Sequence, residues 1–111
     1  MSSVLSIATS GMAAAQRRLE VSARNVANAS VDLPKGAPPE VAAAFAALRV
    51  GQVETSGGGT AAVVTPDIPG MGIDLASEAI QLMVARYTFA TNAKVAKMAG
   101  DMQKTMLDVK V

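Results

Sequence analysis

Asp74 and Glu78 lie one helical turn apart, Met98, Met102 and Met106 recur every four residues, and three consecutive glycines fall at positions 57–59. Paired carboxylates can shuttle protons, a thioether ladder can hold a soft metal ion, and a glycine-rich loop can cradle phosphate. Each feature also has a structural reading, and that reading is the stronger one. Asp74 and Glu78 would open a helix, where carboxylates cap orphan amides and complement the helix dipole. Gly57-Gly58-Gly59 lacks the Lys-Ser/Thr that follows in a phosphate-binding loop and opens no helix, so it reads as a turn. Methionine is an adaptable packing residue, suited to an interface whose neighbours are not all alike.

The wider inventory points the same way. Among 111 residues there is no His and no Cys, which removes imidazole general bases, thiolate nucleophiles, disulfides and the commonest metal ligands. No Ser-x-x-Lys occurs, so the serines lack an activating partner of that kind. The expectation is no catalytic residue, no cofactor and no metal. Ten basic residues against nine acidic ones give a net charge of +1, too small and too mixed in sign for a nucleic-acid binder. The longest apolar run, Val41 to Leu48, is far below the roughly 18–20 residues that span a bilayer. Met1 to Leu19 carries no basic stretch ahead of its apolar residues, so it is not read as a cleaved signal. A chain without membrane insertion is expected; if it leaves the cytoplasm, it does so by a route that reads no signal peptide.

If the chemistry is packing, the elements that present the packing residues matter most. Half of the residues are hydrophobic but only 3% are aromatic, which favours thin helix contacts over a bulky core. Residues 1–29 carry small or apolar side chains at Leu5, Ala8, Met12, Ala15, Leu19, Ser22, Val26 and Ala29, the 3-4 spacing of a heptad seam. Ser2 or Ser3 can cap that helix. Gly11 in its middle costs about 1 kcal/mol relative to Ala, and beside Ala8 and Ala15 it predicts close approach by another helix.

Residues 30–73 hold all five prolines and every glycine except Gly11 and Gly100. Pro39 to Leu48 reads as a short helix with Pro39 in its first turn. Arg49–Thr55 and Thr60–Thr65, separated by Ser56-Gly57-Gly58-Gly59, read as a small β-hairpin, with a flexible glycine linker as the alternative.

Residues 74–111 contain no proline. Asp74 is a good N-cap, and Pro69, Gly70 and Gly72 stop any earlier start. An apolar stripe follows: Ile80, Met83, Val84, Tyr87, Thr91, Val95, Met98, Met102, Met106 and Val109. Eleven-residue steps within it predict a nearly straight or slightly right-handed stripe. A helix over 74–109 would be roughly 54 Å long at 1.5 Å per residue, too long to be buried in so small a domain. The fold class expected is therefore mainly α: an antiparallel, coiled-coil-like pair of terminal helices around a small loop and hairpin segment. Since two helices bury only one stripe each, Leu75, Ala79, Leu82, Ala85, Phe89, Ala90 and Leu107 need partners elsewhere, which argues for an oligomer or polymer.

Particular strings carry a resemblance. Ser10-Gly11-Met12, Leu19-Glu20-Val21 and Ala23-Arg24-Asn25-Val26-Ala27-Asn28-Ala29 resemble the N-terminal signature of bacterial flagellar rod and hook axial proteins, whose first helix ends in Asn-(Ile/Val)-Ala-Asn-Ala. Asp74-Leu75-Ala76-Ser77-Glu78, Phe89-Ala90-Thr91-Asn92-Ala93-Lys94-Val95 and Thr105-Met106-Leu107-Asp108-Val109-Lys110 are similar to the same family's C-terminal signature. The small middle is most like that of the proximal rod, and its C-type subunit in particular. The family more often has Asn where Arg24 stands, and a different turn from Ser30-Val31-Asp32-Leu33-Pro34.

The resemblance implies a structural subunit of the flagellar basal body. Such a subunit is exported by the flagellar type III apparatus without signal cleavage and polymerises with itself and other axial proteins to transmit torque for motility. It implies an assembly interface of Leu5, Ala8, Met12, Ala15, Leu19, Asn25, Val26 and Asn28 on the first helix. On the last helix the same interface takes in Ile80, Met83, Tyr87, Phe89, Asn92, Val95, Met98, Met102 and Met106. Asn25 and Asn28 would cap carbonyls or bridge to a neighbouring helix, fixing register at the turn into the middle segment. The competing reading is a small helical homo-oligomer acting as a binding module or chaperone.

Overall fold

The computed structural model describes residues 2–29, 35–67 and 73–109. The expectations attached to the turn at 30–34, to Pro69, Gly70 and Gly72, and to capping by Ser2 or Ser3 lie outside the described residues and side chains. Two long helices, α1 (Ser2–Asn28) and α3 (Leu75–Val109), flank a short helix α2 (Pro39–Ala44) and an antiparallel hairpin of β1 (Leu48–Glu54) and β2 (Thr60–Pro66). The molecule measures 71 × 26 × 16 Å and its radius of gyration is 18.8 Å, against about 13 Å for a compact domain of this length.

Local chemistry sets the boundaries. Asp74 accepts a hydrogen bond from the Ala76 amide at 3.1 Å, while its carbonyl takes the first intrahelical bond from Glu78, so it caps α3 as expected. The short helix ends at Ala44, earlier than the expected Leu48, because Leu48 is taken into β1. In the hairpin the Gly58 amide bonds to the Thr55 carbonyl, and the Thr55 amide to the Gly59 carbonyl. Gly58 lies at φ +83°, the left-handed position that follows a type I turn in a three-residue hairpin loop and favours glycine.

α1 is the centre of the fold, buried on two adjoining sides. Ala8, Ala14, Ala15, Val21, Ser22 and Asn25 are buried, and the helix packs against α3 and both hairpin strands. The heptad column at 8, 15 and 22 is buried as expected, whereas in the column at 5, 12, 19 and 26 only Met12 is half-buried. Leu5, Leu19 and Val26 are exposed. The reason is thickness: only small residues let two backbones come this close.

Gly11 makes the point directly. A Cβ there would stand 2.7–2.8 Å from three side-chain atoms of Asn92, whose amide is held by the Thr88 carbonyl at 2.9 Å. In Gly11→Ala the gain in helix propensity is therefore offset by displacing Asn92. Combining it with Asn92→Ala is expected to release that gain, with a favourable coupling of about 1–2 kcal/mol in a double-mutant cycle. The urea midpoint of helicity checks this; additive effects would contradict it.

The larger correction concerns α3. Its apolar stripe does not pack on α1. Ile80, Met83, Tyr87, Met98, Met102, Met106 and Val109 are all more than half exposed. The covered line is Glu78, Leu82, Ala85, Thr88, Asn92, Ala96, Ala99 and Gln103, again at 3-4 spacing but, apart from Leu82, small or polar, with Ala85 and Ala99 fully buried. At about 100° per residue the two lines lie roughly 130° apart on the helix.

Candidate assembly surface

The largest fully buried side chain among the described residues is polar. Asn25, 2% exposed, donates through Nδ2 to the Leu48 carbonyl (2.9 Å) and to Glu78 Oε1 (3.0 Å), and accepts the Leu48 amide on Oδ1 (3.0 Å). Ladder register explains why it is needed. Ala47 and Thr55 bond across to Asp67 and Gly59, so alternate residues of β1 point into the hairpin. Leu48, opposite Pro66, therefore turns its amide and carbonyl to the open edge. Asn25 stands in for the missing strand there, and it also ties α3 to α1.

A second tie lies at the other end of the hairpin. The Thr60 amide donates to Ser10 Oγ (3.1 Å), whose hydroxyl donates to the Ile7 carbonyl (2.7 Å). Ser10 and Asn25 are separated by roughly 22 Å along α1 at 1.5 Å per residue, close to the roughly 20 Å of a seven-residue strand. The hairpin is thus spanned by two polar clamps. Arg24 Nη2 holds the Ala44 carbonyl at the end of α2 (2.8 Å), and Arg49 pairs with Asp67 (2.8 Å) at the hairpin base.

The residues expected to mediate assembly divide accordingly. Ala8, Ala15 and Asn25 are buried within the chain, and Asn92 is half-buried against Gly11, so these four build the subunit itself. Met12 and Asn28 are half-buried. Leu5, Leu19, Val26, Ile80, Met83, Tyr87, Phe89, Val95, Met98, Met102 and Met106 are exposed. The role not singled out from sequence is that of Ser10, which holds the Thr60 amide.

The total accessible surface is 7923 Å². A folded monomer of 11.3 kDa exposes about 5,700 Å² by the usual mass scaling. The excess, about 2,200 Å², falls in the range that permanent subunit interfaces cover, and the exposed stripe of α3 supplies much of its apolar part. Beside that stripe an open groove of about 630 Å³ runs between the helices, lined mainly by Ala15, Leu19, Leu82, Met83, Arg86 and Phe89.

Charges are sparse along the stripe. The Lys97 ammonium is held above the usual lysine range, first by its hydrogen bond to Asp101 (2.8 Å) and then by that residue's charge; both are exposed, so the pair adds little stability. No group of three or more acidic side chains that could hold a metal ion occurs among the described residues. No helix of the described residues is long and apolar enough to cross a membrane.

A family model described as flagella basal body rod protein matches residues 5–34, the segment that contains Gly11, the α1 seam and the Asn25 clamp. No curated protein matches the chain. The family is a structural one, its place is the basal body, and its members are parts of the rod that serves motility. A small-residue helix hairpin with an uncovered apolar face suits such a part, and over residues 5–34 the chain is similar to the flagellar basal body rod protein family.

Proposed function

We propose that this chain is a proximal-rod subunit, of the C-type, that polymerises through α1 and α3 into the torque-transmitting axial tube. On this reading it crosses the inner membrane through the flagellar type III export apparatus, without signal cleavage, and packs against itself and other rod proteins. The observation that carries the reading is the inversion of α3: its bulky side chains Ile80, Met83, Tyr87, Met98, Met102 and Met106 stay exposed beside α1, the helix that α3 packs against. A monomer gains nothing from that arrangement. A lattice does, because each copy then covers its neighbour's stripe.

The proposal has a clear solution signature. Small residues bury little area, so the isolated helix pair should be only marginally stable in water. Circular dichroism with light scattering over a concentration series should show low helicity in the monomer, rising with open-ended association or on adding neighbouring rod proteins. Full helicity in a discrete species of fixed mass would instead favour the closed binding module.

A further inference from the structure

A cavity of about 360 Å³ lies where α1, the base of the hairpin and the start of α3 converge, and its lining is largely polar. Arg18 and Ser22 from α1, Val50 from β1, and Ser77 and Gln81 from α3 contribute to it. Spacing brings them together: Arg18, Ser22 and Asn25 follow one another by four and three residues on one face of α1, and Ser77 and Gln81 stand one turn apart on α3. The bond from Asn25 to Glu78 sets the antiparallel register. It places Ser22 across from Gln81 and Arg18 across from Ala85, whose single methyl group leaves room.

The donors of this cavity lack acceptors. Arg18 Nε is sealed from solvent yet meets no hydrogen-bond partner, and no ion pair or hydrogen bond holds the rest of the guanidinium among the described residues. Ser22 is 4% exposed. The hydroxyls of Thr9, Thr91 and Thr105 each bond back to their own helix, whereas that of Ser22 makes no hydrogen bond among the described residues. Two residues beyond Leu48, Val50 turns its amide to the same open edge of the hairpin, where no further strand follows. Buried donors left in this state are costly, and folded proteins keep few of them.

We propose that this cavity binds a single carboxylate, gripped by the Arg18 guanidinium and completed by the Ser22 hydroxyl and the Val50 amide. A carboxylate is planar and its two oxygens match the guanidinium fork. Charge selects the same ligand. The cavity is also lined by Arg49, Asp67 and Glu78, of which Arg49 is already paired with Asp67 at 2.8 Å. Glu78 accepts from the neutral Asn25 amide and has no cation beside it among the described residues. Seven residues separate Arg18 from Asn25, roughly 10 Å along α1, which keeps Glu78 from neutralising the guanidinium. One free cation and one fixed anion thus share the space, so a singly charged ligand is accommodated and a doubly charged phosphate is repelled. The site is independent of the rod-subunit reading, since a closed oligomer would keep the same cavity.

Sodium acetate is the probe, compared with sodium chloride and sodium phosphate at equal ionic strength. Helicity of the full-length chain is followed through urea at a dilution where light scattering shows a monomer. Acetate should shift the folding equilibrium about fivefold over chloride, the factor for a ligand at roughly four times its Kd, and phosphate should not reproduce the shift. Arg18→Gln should lose it, and so should Ser22→Ala, a second variant that leaves every charge in place. Survival of the shift in either variant, an equal shift in phosphate, or no shift in the parent overturns the site. Association in chloride then separates two sources of the carboxylate, both of which keep the site. If it belongs to an acidic side chain of a neighbouring subunit, Arg18→Gln weakens association about tenfold with no acetate present, or about 1.4 kcal/mol. If it belongs to a small free acid, parent and variant associate alike.

Discussion

Asn25→Asp is expected to detach the hairpin and the start of α3 from α1, although it changes a single NH2 group to oxygen. A carboxylate can still accept the Leu48 amide, but it cannot donate to the Leu48 carbonyl or to Glu78, the two partners that Nδ2 holds at 2.9 and 3.0 Å. Both contacts become repulsive in a site that is 2% exposed. The loss should be about 3–5 kcal/mol, the range for breaking a buried charged network, which exceeds what so small a core can supply. Urea unfolding of the assembled chain and amide exchange at Leu48 would measure it. Asn25→Leu, similar in size, should cost nearly as much by leaving Leu48 unpaired. Glu78→Gln, which keeps an acceptor for Nδ2, should cost little. Equal tolerance of Asn25→Leu and Glu78→Gln would show that the amide only fills space.

The pH dependence of the Asn25→Asp variant gives an independent check. The introduced carboxyl is pressed against Glu78 and a carbonyl, so its pKa in the folded chain is raised above the unfolded value of about 3.9. A group raised in this way is destabilising above its folded pKa, and the penalty is relieved as pH falls through that value. The gap between variant and parent should therefore narrow from neutral pH down to about 4, as a protonated carboxyl regains one donor.

Much of the architecture is legible in the sequence because its punctuation is strong. Proline and glycine are confined almost wholly to the middle, Asp74 marks a helix start, and the glycine run at 57–59 breaks two β-branched stretches. The face of α3 was not legible by the same means. Hydrophobicity selects the line of Ile80, Tyr87, Met98 and Met106, yet the partner across the seam is Ala8, Gly11, Ala15 and Ser22, which only accepts side chains the size of Ala85 and Ala99. The informative signal was complementarity of size between the two helices, and it had already been present in Gly11. The clamps were half legible. An Asn near a helix end suggests a carbonyl cap or a bridge to a neighbouring helix, but Leu48 and Glu78 become its partners only once the hairpin register turns Leu48 outward. Ser10 gave no sign of its role, since a helical serine is usually bonded to its own helix, as Ser10 also is.

The same division of α3 into an inner and an outer face sets up the second large effect. Tyr87→Glu combined with Met98→Glu should abolish association while leaving the residual helicity of the monomer unchanged. Tyr87 and Met98 are 75% and 63% exposed, three helical turns apart on the outer line, and neither donates or accepts a side-chain bond that holds the chain together. Covering one such side chain contributes about 1.5–3 kcal/mol, and covering an unpaired carboxylate in its place costs more again. Two sites together exceed 3 kcal/mol, or more than a hundredfold in an association constant. Ala85→Glu and Ala99→Glu are the opposite case, because both are fully buried against α1 and a charge there should remove helicity at every concentration. Light scattering and circular dichroism on the two pairs separate the faces. If the outer pair unfolds the monomer, or if it assembles as the parent does, the outer line is not where one copy meets the next, and the fold would have to explain by other means why its bulkiest residues face solvent.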